Sequence, residues 1–212
     1  MLTANSNTYK YEYEFSLKML KKKEIEKIYH LVENCTKCIL HNTKNKPVFG
    51  DGSLDAKIMF IGEAPGYNEE IQGRPFVGKA GKILDELLNS IELKRSDVFI
   101  TNILLCRPPK NRSPLKIEIE KCKKYLDMQI DIIKPRIIAP MGNFSTSYIL
   151  EKFGLKIDKI SKIHGRIYEI NNSSSVTKII PLYHPAVAIY NINTKKTLLE
   201  DFKLIKEVLK EL

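Results

Sequence analysis

Three short apolar runs constrain this chain more than anything else in it. Lys57–Gly62 (KIMFIG), Asp97–Leu105 (DVFITNILL) and Arg136–Met141 (RIIAPM) are nearly continuous rather than alternating in hydrophobicity. A strand of that kind is buried on both faces. Helical patterns separate them. In Gly78–Ile91 the apolar residues Ala80, Ile83, Leu84, Leu87, Leu88 and Ile91 recur at helical spacing, Leu115–Ile133 reads as a long helix, and Asn143–Phe153 reads as another, stopped by Gly154. Strands alternating with helices require crossover connections, hence an α/β fold with a mostly parallel sheet covered by helices on both faces. Further along, Ile163–Ile170 and Lys178–Leu182 read as strands around the polar turn 171–175, and Lys195–Leu212 reads as a closing helix.

The 212 residues, 43% hydrophobic, suffice for one well-buried core. Residues 1–23 show no clean periodicity and read as an N-terminal extension, followed by a short helical pattern at Lys23–Glu33 and a single domain over 24–212. No apolar run is long enough to span a membrane, and the polar first residues lack the apolar stretch of a signal peptide. A soluble, cytoplasmic protein is expected.

Lys and Arg number 35 against 25 Asp and Glu, a formal net charge of +10. Nucleic acid is therefore the first partner to test, although a composition rich in Lys and Ile produces the same sum without one. Four cysteines stand at 35, 38, 106 and 122. In an intracellular chain they are not expected to form structural disulfides. Cys35 and Cys38, two residues apart, can point from one turn at a common ion or cluster, while Cys106 and Cys122 must be delivered by the fold. Spacing alone leaves zinc, an iron-sulfur cluster and ordinary buried thiols all open.

Ligands of open parallel sheets sit beyond the carboxyl ends of the strands. That rule singles out three segments: the loop GEAPG after the first run, Asn102 near the end of the second with Cys106-Arg107-Pro108-Pro109 behind it, and His184-Pro185 after a late strand. Each has an ordinary structural explanation when taken singly. The GEAPG loop also lacks the spaced glycines and Gly-Lys-Ser/Thr ending of a phosphate-binding P-loop.

Taken in order, GEAPGYNEEIQGRPFVGKAG, TNILLCRPPKNRSP, Cys122, PMG and YHPA, with the CxxC pair ahead of them, closely resemble family 4 uracil-DNA glycosylases, the iron-sulfur members of their superfamily. The likeness runs from about Asn34 to Phe202. It implies a three-layer α/β/α sandwich with a central, mostly parallel four-stranded sheet, and a 4Fe-4S cluster held by Cys35, Cys38, Cys106 and Cys122. The implied reaction is hydrolysis of the N-glycosidic bond of uracil in DNA, single- or double-stranded, by a monomer acting in base excision repair.

The same resemblance assigns roles residue by residue. Phe76 is the stacking platform, Asn102 reads the Watson-Crick edge, and His184 faces uracil O2. Glu69 matches an acidic residue near the pocket, where bulk would exclude the 5-methyl group of thymine. Glu63 holds the loop or steadies the attacking water; Ala64 stands where other uracil-DNA glycosylases carry a water-orienting aspartate. Arg107, Lys110 and Arg112 are candidate phosphate contacts, and Val187 and Ile189 lie in the segment that wedges into the base stack. Two departures stand out: Leu105 replaces a frequent lysine, and HPAVAIYN lacks the arginine that commonly follows this motif. Two rival readings compete. A relative trapped covalently on its product needs an extra histidine that RPPKNRSP lacks; a silent DNA-binding module has no use for Phe76, Asn102 and His184 together.

Overall fold

The computed structural model describes residues 6–171 and 175–212, with side chains from residue 15 onward. The turn expected at 171–175 thus falls largely outside the described residues. Among the described residues, six strands form one sheet: β1 (Asp51–Gly52), β2 (Ile58–Gly62), β3 (Phe99–Asn102), β4 (Ile137–Pro140), β5 (Tyr168–Glu169) and β6 (Lys178–Ile179), in the spatial order β1-β3-β2-β4-β6-β5. The four middle strands are mutually parallel, as expected; β1 and β5 add a short antiparallel strand at each edge.

Every residue of β2, β3 and β4 is buried. The side-chain period of two divides them between two cores. Ile58 and Phe60 of β2 face α3 (Lys79–Ser90) and α7 (Ile192–Lys210), packing with Leu84, Leu87, Phe202 and Ile205. Met59 and Ile61 face the other way, toward α4 (Lys116–Ile133) and α5 (Asn143–Lys152), with Leu126, Ile130, Ile149 and Leu150. The three-layer sandwich follows from that division. A third, smaller cluster joins Ile25, Ile28 and Val32 of α1 (Ser6–Glu33) to Leu105 and to Tyr125 of α4.

Several elements depart from the sequence reading. Helix α1 runs unbroken through residue 23, the expected end of the extension. Lys21 ties it to the body by donating to Leu54 O at 3.1 Å and Asp55 Oδ1 at 2.7 Å. The glycine-rich loop after β2 contains a six-residue helix, α2 (Tyr67–Gln72), closed by Gly73 at φ 71°. The run 163–170 is not one strand: a helical turn, α6 (Ile160–Ile163), and left-handed Gly165 at φ 69° precede the two-residue β5. Helix α7 begins three residues before the expected start, because Asn191 Oδ1 accepts from the N–H groups of Asn193 and Thr194 at 2.9 and 3.2 Å.

Candidate active site

Strands β2 and β3 lie in parallel register with Gly62 directly beside Asn102. A Cβ at position 62 would overlap Asn102 Oδ1 and the rim of the Phe76 ring, so only glycine lets the strand end approach both side chains. Beyond this point opens a pocket of about 250 Å³. Its wall brings together Ala64, Glu69, Phe76, Asn102 and His184, five of the six pocket residues assigned from the sequence. Gly66, Ala80 and Asn111 complete it. Glu63 is not in the wall; burial raises the pKa of its carboxyl above the usual value.

Asn102 is 2% exposed, and its Oδ1 has no hydrogen-bond partner among the described residues. An orphaned amide oxygen in such a place costs about 1–3 kcal/mol unless a ligand supplies a donor. Phe76 sits at φ 53°, a left-handed conformation unusual for an aromatic residue. Its backbone is held by Arg95, which donates to Phe76 O and, at 3.0 Å, to Pro75 O while pairing with Asp85 at 2.6 Å. Glu69 contributes a second clamp. Its Oε1 accepts from the N–H groups of Val77 and Gly78 at 2.9 and 2.8 Å, capping the start of α3 and fixing the loop that carries Phe76.

His184 precedes a 3-10 turn, Pro185–Ile189, and its Nδ1 accepts from Ala186 N at 3.2 Å. That bond leaves the proton on Nε2. Burial lowers the imidazole pKa to about 4, against a smaller opposing pull from the Glu69 carboxylate, so the ring is neutral near pH 7. It lies against Phe76, with ring centroids 5.6 Å apart and planes inclined by 30°. Gly142, at φ 94° after β4, backs the histidine: a Cβ there would stand 3.3 Å from His184 Cβ. The pocket therefore offers an aromatic face, a free acceptor and a neutral N–H donor.

The four cysteines, distant in sequence, line one small cavity. Cys35 and Cys38 come from the turn after α1, Cys106 from the segment after β3, and Cys122 from α4. Burial raises the thiol pKa of Cys38, and pushes those of Cys106 and Cys122 up to about 11 and about 12. Lys44 lies nearby, donating to the carbonyls of Val32, Glu33 and Cys35 at 3.2, 2.8 and 3.4 Å. Its ammonium opposes the effect of burial on Cys38 and Cys106. Among the described residues, no three His, Cys, Asp or Glu side chains are grouped so as to hold a metal ion. The donor set is nevertheless four thiols in one mostly apolar wall, completed by residues such as Val32, Leu40 and Leu104.

The candidate DNA contacts divide. Lys110 is exposed and has no carboxylate partner among the described residues, Val187 is 41% exposed, and Ile189 is half-buried. Arg107 and Arg112 turn inward instead. Arg107 pairs with Glu70 at 3.2 Å, and Arg112 grips the fully buried Glu118 through two bonds of 2.9 and 2.5 Å. Tyr190, 87% exposed, and Ile192, 66% exposed, extend the apolar surface beside Val187. Asn111 was not singled out from the sequence; nothing in RPPKNRSP marks it, because its place in the wall depends on how the chain folds back after β3.

The sequence model of the uracil DNA glycosylase superfamily matches residues 49–212. Among curated relatives, type-4 uracil-DNA glycosylases of Sulfurisphaera tokodaii and Archaeoglobus fulgidus are 48% and 44% identical, each covering 87% of this chain and respectively 84% and 92% of their own length. The type-4 enzyme of Thermotoga maritima is 37% identical over 88% of this chain and 95% of its own. No described helix is long and apolar enough to cross a membrane. With the matched region spanning the whole sheet and the pocket at its carboxyl edge, the chain belongs to the uracil DNA glycosylase superfamily, among its type-4 members.

Proposed function

We propose that this protein excises uracil from DNA by hydrolysing the N-glycosidic bond and leaving an abasic site. The observation that carries the reading is the unpartnered Oδ1 of buried Asn102, set in a pocket with a neutral His184 and the Phe76 ring. Uracil must leave the base stack to be reached, and that extrusion costs a few kcal/mol. Once inside, its face lies on Phe76. Its N3–H supplies the donor that Asn102 Oδ1 lacks, and the amide NH2 meets O4. Cytosine offers the reverse pattern, an acceptor at N3 and a donor at N4, and would leave the buried amide mismatched.

As the glycosidic bond breaks, negative charge accumulates on the departing base. His184 Nε2–H, oriented by the Ala186 bond to Nδ1, donates to O2, where that charge develops. A neutral imidazole serves here because its donor is already placed and no proton need be moved. Glu69, committed to the Val77 and Gly78 amides, holds the stacking loop and narrows the pocket toward the 5-position of the base. The attacking water comes from the side of the sugar opposite the base, and Glu63 stands just outside the wall with a carboxyl whose pKa burial raises.

Cys35, Cys38, Cys106 and Cys122 would hold a 4Fe-4S cluster, which supplies a cross-link among α1, the segment after β3 and α4 rather than a reacting group. The partner is uracil-containing DNA, single- or double-stranded, bound by a monomer. The test is direct. Purified protein is incubated with single- and double-stranded oligonucleotides carrying one uracil, and abasic sites are then cleaved with alkali. Cleavage at the uracil supports the reading; binding without cleavage on either substrate points to a silent DNA-binding module.

A further inference from the structure

Arg107 carries three contacts at once. Its Nε donates to Asn111 Oδ1 at 2.7 Å, its Nη1 donates to Glu70 Oε2 at 3.2 Å, and its guanidinium lies over the Tyr67 ring, 5.2 Å from the centroid. Glu70 is itself fixed: it is 6% exposed, and its other oxygen accepts from Asn45 N at 3.0 Å. Helix α2 thus braces the arginine with a buried carboxylate and an aromatic face. At the far end stands Asn111, part of the pocket wall.

A guanidinium has five donors and no acceptor, so the atom of Asn111 that faces it is the carbonyl oxygen. The amide NH2 group is left for the cavity. Lys110 and Asn111 are consecutive residues at φ 55° and 54°, each in the left-handed region. Such a conformation persists in non-glycine residues where surrounding contacts over-determine it. Here those contacts are the Arg107 bond to the side chain and the bond from Asn111 N to Pro108 O at 3.1 Å.

We propose that Arg107 is a positioning residue: braced on Glu70 and Tyr67, it sets the Asn111 amide so that its NH2 group donates to the nucleotide held in the pocket. The proposal rests on the uracil-excision reading for the identity of that nucleotide. It also gives the neighbouring Cys106 a mechanical connection to the pocket, since Cys106 and Arg107 are adjacent in sequence. A phosphate-binding arginine would instead be free to swing outward.

The two roles differ in what they change. Single-turnover excision at saturating DNA, and DNA affinity across a salt series, are measured for Arg107→Met, Asn111→Ala and the double variant. Each single change is expected to slow the saturated rate about ten- to a hundredfold, the scale of one hydrogen bond to a charged group. The double variant should be no slower than the slower single one, since both remove the same contact. Affinity and its salt slope should stay within about twofold of the parent. Multiplying losses, or a salt slope smaller by about one with the saturated rate intact, would overturn the proposal in favour of independent roles or a phosphate contact. Should Arg107→Met fail to fold, Arg107→Lys keeps the charge but not the directed fork and is held to the same outcomes. A crystal structure of the arginine variant provides the arm that needs no activity. Asn111 displaced from the wall supports the proposal, Asn111 unmoved refutes it, and a parent protein that excises no uracil refutes only the underlying reading.

Discussion

At the scale of single residues, the proposed excision reaction places the chemistry on His184 and the selectivity on Asn102. His184→Ala should lower the single-turnover excision rate by about a hundredfold or more, the usual scale for losing one preorganised donor to a developing anion. DNA affinity should barely change, because this bond strengthens only as charge reaches O2. A defect confined to binding would mean that the residue is right and its role wrong. The pH dependence follows from the same geometry. Below a pKa of about 4 the imidazole gains a proton on Nδ1, which then opposes the N–H of Ala186 instead of accepting from it. The rate attributable to His184 should therefore persist from pH 7 down through 6.5 and fall only as pH approaches about 4; loss centred near 6.5 would contradict the neutral ring. The stability effect has the opposite origin. The unfolded histidine takes up a proton below about 6.5 and the folded one does not, so this residue disfavours folding increasingly as pH drops between those values. For Asn102, Asn102→Asp places a carboxylate, which only accepts, against uracil O4. Uracil excision should drop at least a hundredfold while cytosine, with a donor at N4, becomes the better fit at that edge. Full-rate uracil excision by the variant would remove Asn102 as the reader.

Among elements, the sequence was most legible where burial on both sides leaves no choice of pattern: β2, β3 and β4, and the helices α3, α4 and α5 that cover them. It was least legible where local chemistry outweighs hydrophobic pattern. Helix α2 forms among glycines because Gly73 closes it in the left-handed region, and the run 163–170 bends because Gly165 does the same. The pocket shows the same division. Phe76, Asn102 and His184 were readable as motif residues, but the inward turn of Arg107 and Arg112 and the presence of Asn111 in the wall depend on partners remote in sequence or buried. The Arg112 pair has a testable consequence of its own. Glu118 is fully buried in the first turn of α4, and its carboxylate accepts from Arg112 twice and from Leu115 N at 2.8 Å. The Arg112 bonds chiefly, with help from Leu115, hold its pKa below the usual carboxylate range. A depressed carboxylate stabilises the fold above its unfolded pKa and loses that contribution as pH falls through the folded value. Arg112→Met should therefore destabilise the protein near pH 7, with the deficit shrinking below pH of about 4. Denaturant unfolding at several pH values measures it, and an equal deficit at every pH would show that the pair acts only through packing.

At the scale of the whole molecule, the two large cores on either side of the sheet need no metal, whereas the third cluster is small. Among the described residues, Ile25, Ile28, Val32, Leu105 and Tyr125 are the ones buried in it, yet it fastens α1 and the segment after β3 to α4. The four-thiol cavity adjoins that same junction, sharing Val32 and Tyr125 with it. A cluster bound there would cross-link three elements that apolar contact alone holds weakly, and the segment it anchors leads through Arg107 to the pocket wall. The expected consequences are ordered. The purified protein should be brown, with about four irons and four acid-labile sulfides per chain if the cluster is 4Fe-4S. Cys122→Ala should bleach it and shorten hydrogen-exchange protection in the α1–α4 junction, while amides of β2, β3 and β4 stay protected because their cores are independent of the thiols. Excision should fall in the same variant, since the segment carrying Asn111 loses its anchor. A colourless protein containing one zinc per chain would replace the cluster with a single ion. Bleaching with unchanged protection at the junction would leave the cluster in place as a bound group but remove it as the fastening of this part of the fold.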